Sequence, residues 1–233
     1  MRRISLAPQR REQERPARPV GLEGYRQVYA LYIFGDLRGF TKWVKQSENE
    51  LKRLLEILYT NAQTAFGMKE ERTYLRRIVK FLGDGFFAVN EYDDAKGKPA
   101  VSDAFLRTFD DILSFRNSFR VEIRNANFHL RPKPFCGFGI SYGPAVRFSL
   151  PGYPLDYAGG QVNLASRLCS KSEADDIMME LDIKNKYMEQ VDQKYRFSTP
   201  PSIQTVIPKG LPKMTVSRIR LLGINKRKTL ADI

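Results

Sequence analysis

The stretch "FLGDGFFAV", Phe81 to Val89, constrains this chain more than any other. Two apolar runs flank the tight Gly83-Asp84-Gly85, so a β-hairpin is predicted over "TYLRRIVKFLGDGFFAVNEY". A turn uses an aspartate for its backbone hydrogen bonds. A metal site uses one between glycines because the bare backbone lets a cation and a phosphate come close. For one such turn taken alone the first use is the commoner, and the rest of the chain has to decide between them.

Ahead of the hairpin, "RQVYALYIFGDL" reads as a buried strand ending near Asp36. "TKWVKQSENELKRLLEILYTNAQTAF" places Val44, Leu51, Leu54, Leu55, Leu58, Ala62 and Ala65 at helical spacing. After the hairpin, "DDAKGKPA" reads as a loop. "VSDAFLRTFDDILSFRNSFRVEIRN" repeats apolar residues at Phe105, Phe109, Ile112, Phe119 and Ile123, again helical. "PFCGFGISYGPAVRFSL" reads as two strands around Gly143-Pro144, and "QVNLASRLCSKSEA" as a helix. Strands and short helices mix from Asp182 onward. Alternating strands and helices around a hairpin predict one α/β or α+β domain with helices packed on a sheet. Residues 1–24, rich in Arg, Pro and Glu and without periodicity, are expected to be a flexible basic tail, and residues 25–233 the folded domain.

With 233 residues, 42% of them hydrophobic, the chain can bury a substantial core. No stretch approaches the roughly 18 consecutive apolar residues of a membrane span, and the N-terminus lacks the apolar core of a signal peptide. The two cysteines, Cys136 and Cys169, form no CxxC pair. That favours a reducing cytoplasm and argues against structural zinc. The net charge of +13 suits a polyanionic partner. No aromatic-basic RNA-binding signature accompanies it, so nucleic acid is not the expected partner, while a nucleoside triphosphate is also a polyanion.

If the strand ending at Asp36 neighbours the hairpin, Asp36 and Asp84 meet at one end of the sheet. Two carboxylates at short range repel unless divalent cations bridge them. The one histidine, His129, lies outside any HExxH pattern and reads as an ordinary loop residue. In "GGQVNLASRL", Asn163 and Arg167 are four residues apart and share one helix face. An arginine there can hold a phosphate bidentately and an asparagine can orient a sugar, although an isolated pair of this kind is more often a solvent-facing one.

"FGDLRGFT", "KFLGDGFFAV", "FGISYGPAV" and "DYAGGQVNLASRL" occur in order, and together they resemble the class III nucleotide cyclase catalytic domain. The resemblance runs over roughly residues 25 to 223, including "IPKGLPKMTVSRIRLL", similar to that family's closing strands. It implies an antiparallel or mixed sheet of ferredoxin-like, palm-like topology covered by helices. It implies that Asp36 and Asp84 bind two Mg²⁺ or Mn²⁺ ions, one activating the ribose 3′-hydroxyl and one holding the triphosphate. Asn163 matches the residue that orients the ribose, and Arg167 the one that stabilises charge at the α-phosphate. The product is then a 3′,5′-cyclic nucleotide plus pyrophosphate. Because the family takes its metal aspartates from one subunit and its Asn-Arg helix from the other, a homodimer with two composite sites is expected.

Lys80 and Asp156 match the adenine-reading pair of adenylate cyclases, though both are also plain surface choices. Phe34 either packs on the base or fills the core. The sequence departs from the family at Gly159-Gly160-Gln161, at Ser149 where a glycine is usual, and at Leu211 in place of a phosphate-binding lysine, with Lys209 and Lys213 nearby. A small chain without sensor or membrane segment resembles the pyrimidine cyclases of the bacterial Pycsar antiphage system, which implies cyclic UMP or cyclic CMP made for a partner effector. Adenylate cyclase is the alternative reading, and a catalytically inactive cyclase-like interaction module is the alternative of a different class.

Overall fold

The computed structural model describes residues 23–44, 48–71, 74–92, 97–129, 134–197, 202–207, 210 and 212–224. Its centre is β1 (Glu23–Arg38), which pairs antiparallel with β4 (Gly85–Tyr92) on one side and β5 (Phe135–Ser149) on the other. Alternation along β1 explains its apolar run. Leu31, Ile33 and Leu37 enter one core, while Val28, Ala30 and Tyr32 enter a second core on the opposite face. A strand covered on both faces needs no polar side.

The hairpin is present: β3 (Tyr74–Phe81) pairs antiparallel with β4, and a short β2 (Lys69–Glu71) extends it outward. The order β3-β4-β1-β5 is the antiparallel ferredoxin-like arrangement expected from the sequence. The sheet continues through β7 (Asp176–Glu180), β10 (Met214–Ile224) and β8 (Tyr195–Phe197). Off this path, β6 (Asp156–Ala158) pairs with β5 and β9 (Ser202–Val206) with β10. Only β5 and β7 run parallel among the described pairs.

Helices α2 (Glu48–Phe66) and α3 (Gly97–Asn125) supply the first core. Leu54, Leu58, Ala62 and Ala65 form one stripe, and Phe105, Phe109, Ile112, Phe119 and Ile123 the other, all buried as their spacing predicts. Phe86 sits where they converge, with ring centroids 5.2 Å from Phe66 and 5.5 Å from Phe115. Burying such a ring contributes about 1.5–3 kcal/mol, which pins the start of β4 two residues from Asp84. Helix α4 (Gly160–Lys171) covers the other face, with Val162 and Ala165 in the second core. The short α5 (Leu181–Tyr187) and α6 (Glu189–Lys194) complete the mixed C-terminal part.

Four expectations change. The first helical stretch is two helices, α1 (Phe40–Val44) and α2, and Val44 is exposed. The segment read as a loop ending at Ala100 already contains the start of α3 at Gly97; Pro99 sits in the first turn, where its missing N–H breaks no helical bond. Gly143-Pro144 is not a turn, because β5 is one continuous strand. Gly143 adopts φ +146°, and Pro144 falls between the end of the β7 pairing at Ile140 and the start of the β6 pairing at Val146, where a missing donor is tolerated. Asp156 opens β6 rather than lying in a loop. The expected tail lies outside the described residues up to residue 22, and Glu23 and Gly24 belong to β1.

Helix α4 sits directly on the β5 backbone. A Cβ on Gly139 would lie 2.1 Å from the Cys169 nitrogen and 2.2 Å from the Ala165 carbonyl oxygen. Gly139→Ala is therefore expected to destabilise by about 1–3 kcal/mol or more through overpacking, while Gly160→Ala, with open space around it, should be near neutral. Equal chemical-denaturation midpoints for the two variants would contradict this seating.

Candidate active site

Asp36 lies near the C-terminal end of β1, in register with Gly85 of β4 and Gly137 of β5. Beside it the hairpin tip closes tightly. The Leu37 amide donates to the Asp84 carbonyl at 2.9 Å, and the Leu82 amide to the Gly85 carbonyl at 2.8 Å. Each glycine around Asp84 has its own reason. Gly83 adopts φ +80°, open to glycine and strained for other residues. A Cβ on Gly85 would lie 2.6 Å from the Gly35 carbonyl oxygen and 3.2 Å from Asp36 Oδ1. Bare backbone at Gly85 is what lets the two carboxylates share one edge. Tyr59 of α2 donates its hydroxyl to the Gly83 carbonyl and packs its ring 4.3 Å from that of Phe81, tying the tip to the helical layer.

The electrostatics follow from this crowding. Burial pushes the Asp36 carboxyl up to about 6; Arg38, with Nη1 at 3.0 Å from Asp36 Oδ2, pulls it back, and the Asp84 charge adds to the rise. Burial and then the Asp84 charge also raise the Tyr59 hydroxyl. An aspartate pair of this kind lowers its own repulsion by taking up a hard cation. No cluster of three or more His, Cys, Asp or Glu side chains fit to hold a metal occurs among the described residues. Two carboxylates with the remaining positions left to substrate oxygens suit Mg²⁺ or Mn²⁺, which bind through one or two carboxylates plus phosphate.

Asn163 and Arg167 are exposed on the outer face of α4, opposite its buried Val162, Ala165 and Leu168. Neither side chain has a hydrogen-bonding partner among the described residues. The end of α4 nearest the aspartate pair is its C-terminus, since Arg38 donates to Ser172 Oγ and Cys169 Sγ. Asn163 is therefore roughly 9 Å up the helix axis at 1.5 Å per residue.

Lys80 and Asp156 come together. Nζ lies 2.6 Å from Oδ2, and Oδ1 accepts from the Tyr157 amide at 2.8 Å. Lys80 stands where β3 has no outer neighbour among the described residues, since the β2 pairing stops at Arg76. Strand β6 is held down by a buried cluster in which Tyr157 donates to Glu91 and Arg147 Nη1 meets Glu91 Oε2 at 2.9 Å. Phe34 is half-buried and stacks on Phe87 with centroids 4.5 Å apart. Lys213 is exposed, while Leu211 and Lys209 lie outside the described residues. His129 is exposed, its amide donating to Glu50. Both cysteines are buried and free. Sequence reasoning missed Arg38 and Tyr59. The arginine was visible as a basic residue two positions after the strand-end aspartate of "GDLR", but nothing in sequence tied Tyr59 to the hairpin tip.

This fold and this placement of carboxylates define a class of nucleotide cyclases. The family model for the adenylate and guanylate cyclase catalytic domain matches residues 23–204, and the chain belongs to that family as a nucleotide cyclase. No curated protein matches it in sequence. Among solved structures it is similar to the guanylyl cyclase Cya2, at 20% identity over 88% of this chain and 96% of that one, with a TM-score of 0.63. It is also similar to the adenylyl cyclase CyaB from P. aeruginosa, at 20% identity over 88% and 99% of the two chains, with a TM-score of 0.59. The guanylate cyclase domain of RhGC from Catenaria anguillulae in complex with GTP is 18% identical over 84% and 98%, with a TM-score of 0.56. None of the described helices is long and apolar enough to cross a membrane.

A carboxyl raised to about 6 costs the metal-free protein stability once it ionises, above that pH, and holds a proton below it. A cation must displace that proton. Apparent Mn²⁺ affinity is therefore expected to fall by about tenfold per pH unit below pH 6 and to level off above about 7. Asp36→Asn should abolish the Mn²⁺-induced rise in Tm without lowering the metal-free Tm at neutral pH. A Mn²⁺ response unchanged in Asp36→Asn, or independent of pH across this range, would contradict the assignment.

Proposed function

We propose that the protein converts a nucleoside triphosphate into a 3′,5′-cyclic nucleotide at two composite sites of a homodimer. The observation that carries this is the pairing of Asp36 with Asp84 at one sheet edge, while the same chain turns Asn163 and Arg167 outward without partners. Exposed Phe81 and Leu82 beside the hairpin tip support a second copy as the cover. Asp36 and Asp84 hold two divalent cations, Mg²⁺ or Mn²⁺. When bound, these neutralise phosphate charge and make the ribose 3′-hydroxyl a better nucleophile. The partner's helix places Asn163 against the ribose and Arg167 against the α-phosphate. There the guanidinium meets charge that grows as the O3′–P bond forms and the bond to pyrophosphate breaks.

For the base, Lys80 and Asp156 present a donor beside an acceptor. Uracil answers with O4 and N3–H, adenine with N1 and its amine. We infer a pyrimidine triphosphate, UTP ahead of CTP, on the resemblance in layout to pyrimidine cyclases and not on a base-reading residue, with the product serving as an antiphage messenger for a downstream effector in the cytoplasm. ATP is the second reading, favoured by the match of Lys80 and Asp156 to an adenine-reading pair. Phe34 lies at the edge of the same face and would contact the base with its exposed part.

Asp36→Ala and Arg167→Ala proteins should each be inactive. After subunit exchange the equal mixture should regain roughly a quarter of wild-type activity, since half the dimers are mixed and each keeps one intact site. No recovery despite demonstrated exchange would rule out the shared site. Lys80→Ala should lower kcat/KM for the true substrate by about one to two decades. Asp156→Asn should be tolerated better with UTP than with ATP. Turnover confined to ATP in the wild type would overturn the pyrimidine assignment.

A further inference from the structure

We propose that Arg38 is a positioning residue that ties Asp36 to the C-terminal end of α4, and so links the two half-sites carried by one chain. The inference rests on the composite-site reading above. In that reading a chain's Asp36 serves one site of the dimer and its Arg167 serves the other, so a side chain joining them within one chain joins the two sites.

Arg38 follows Asp36 by two residues and therefore emerges on the same face of β1. Its Nη1 lies 3.0 Å from Asp36 Oδ2. Its Nη2 donates to Ser172 Oγ at 2.9 Å, approaches Cys169 Sγ at 3.3 Å and donates to the Cys169 carbonyl. That carbonyl belongs to the last turn of α4, at the negative end of the dipole, and also accepts from the Ser172 amide at 3.0 Å and the Ser172 hydroxyl at 2.8 Å, so Arg38 joins an existing C-terminal cap. The guanidinium caps this helix end while holding a carboxylate with its other nitrogen. Lysine, with a single point charge, cannot span both.

Three further observations support the link. Gly137 lies opposite Asp36 in β5, and a Cβ there would fall 2.6 Å from Arg38 Nε and 2.2 Å from Ser172 Oγ. A missing side chain thus opens the passage from the sheet edge to α4. Arg38 Nε is buried without a hydrogen-bond partner, so the guanidinium is oriented by its two ends at the expense of its own full satisfaction. Beyond Ser172 the chain is clamped: Arg218 binds Glu173 and Asp176, Arg220 Nε lies 2.9 Å from Asp176 Oδ1, and Arg120 binds Asp175. With that side fixed, Arg38 is the adjustable contact. A cation on Asp36 carries the same sign as the guanidinium and competes with it, so filling the metal half of one site alters the support of the helix serving the other.

The test uses purified heterodimers with differently tagged chains. One chain carries Arg167→Ala and the other Asp84→Ala, which leaves one intact site: metal half from the first, helix half from the second. Arg38→Gln is then placed in either chain. Placed behind the helix half, in the Asp84→Ala chain, it should lower kcat by about tenfold and leave the Mn²⁺ activation constant unchanged. Placed beside the metal half, in the Arg167→Ala chain, it should lower by about threefold or more the Mn²⁺ concentration that gives half the Mn²⁺-dependent rise in Tm, measured without nucleotide, and tighten Mn²⁺ activation in parallel, because a competing charge is gone. Ser172→Ala in the Asp84→Ala chain keeps the guanidinium and should reproduce part of the kcat loss, which holds the test open if Arg38→Gln misfolds. An active parental heterodimer whose kcat ignores both helix-side variants would overturn this inference alone, as would identical effects from the two placements. An inactive parental heterodimer would overturn the composite-site reading and this inference together.

Discussion

At Gly35 and Gly85 the backbones of β1 and β4 meet with no side chain between them, and the site is built on that contact. A Cβ on Gly35 would fall 2.6 Å from the Phe86 ring, and one on Gly85 at the same distance from the Gly35 carbonyl. Because both positions are bare, Phe86 can enter the aromatic cluster under α2 and α3 while Asp36 and Asp84 stay side by side at the rim. The core holds the strands; the glycines set how close the charges come. The cost is visible in the Asp36 carboxyl, pushed up to about 6 by burial and by its neighbour. A cation relieves such crowding, so the same contact that raises the Asp36 carboxyl makes the pair receptive to one.

Much of this was legible in the sequence. The hairpin, the buried strand before Asp36, the two apolar stripes and the helix bearing Asn163 all announce themselves by period and turn residues, because burial on one or both faces imposes those patterns. The misreadings share a cause. Gly143-Pro144 carries the composition of a turn, yet the chain continues because β1 pairs across it, Ala30 with Gly143 and Tyr29 with Pro144, a long-range constraint that no local window contains. Likewise α3 begins earlier than its apolar stripe, since its first turn needs no buried residue.

At the site, residue types were readable and relations were not. Nothing local announces that Lys80 reaches Asp156, 76 positions away, or that Arg38 reaches Ser172, 134 positions away. Both contacts arise because β1, β3, β5 and β6 belong to one sheet and α4 packs on its β1 and β5 strands. The net charge of +13 gains a partial account here. Arg38, Arg120, Arg218 and Arg220 are engaged in holding the end of α4 and the turn after it, whereas Arg167 stays exposed.

The central claim, that this rim turns over a nucleoside triphosphate, is tested most directly by product analysis. The protein is incubated with Mn²⁺ and each of the four ribonucleoside triphosphates in turn, and the products are identified by mass spectrometry alongside pyrophosphate release. The account predicts a 3′,5′-cyclic nucleotide and pyrophosphate in equal amounts, with UTP the best substrate, and no product from Asp84→Ala. Failure of all four nucleotides to yield a cyclic product in a folded, Mn²⁺-binding protein would contradict it.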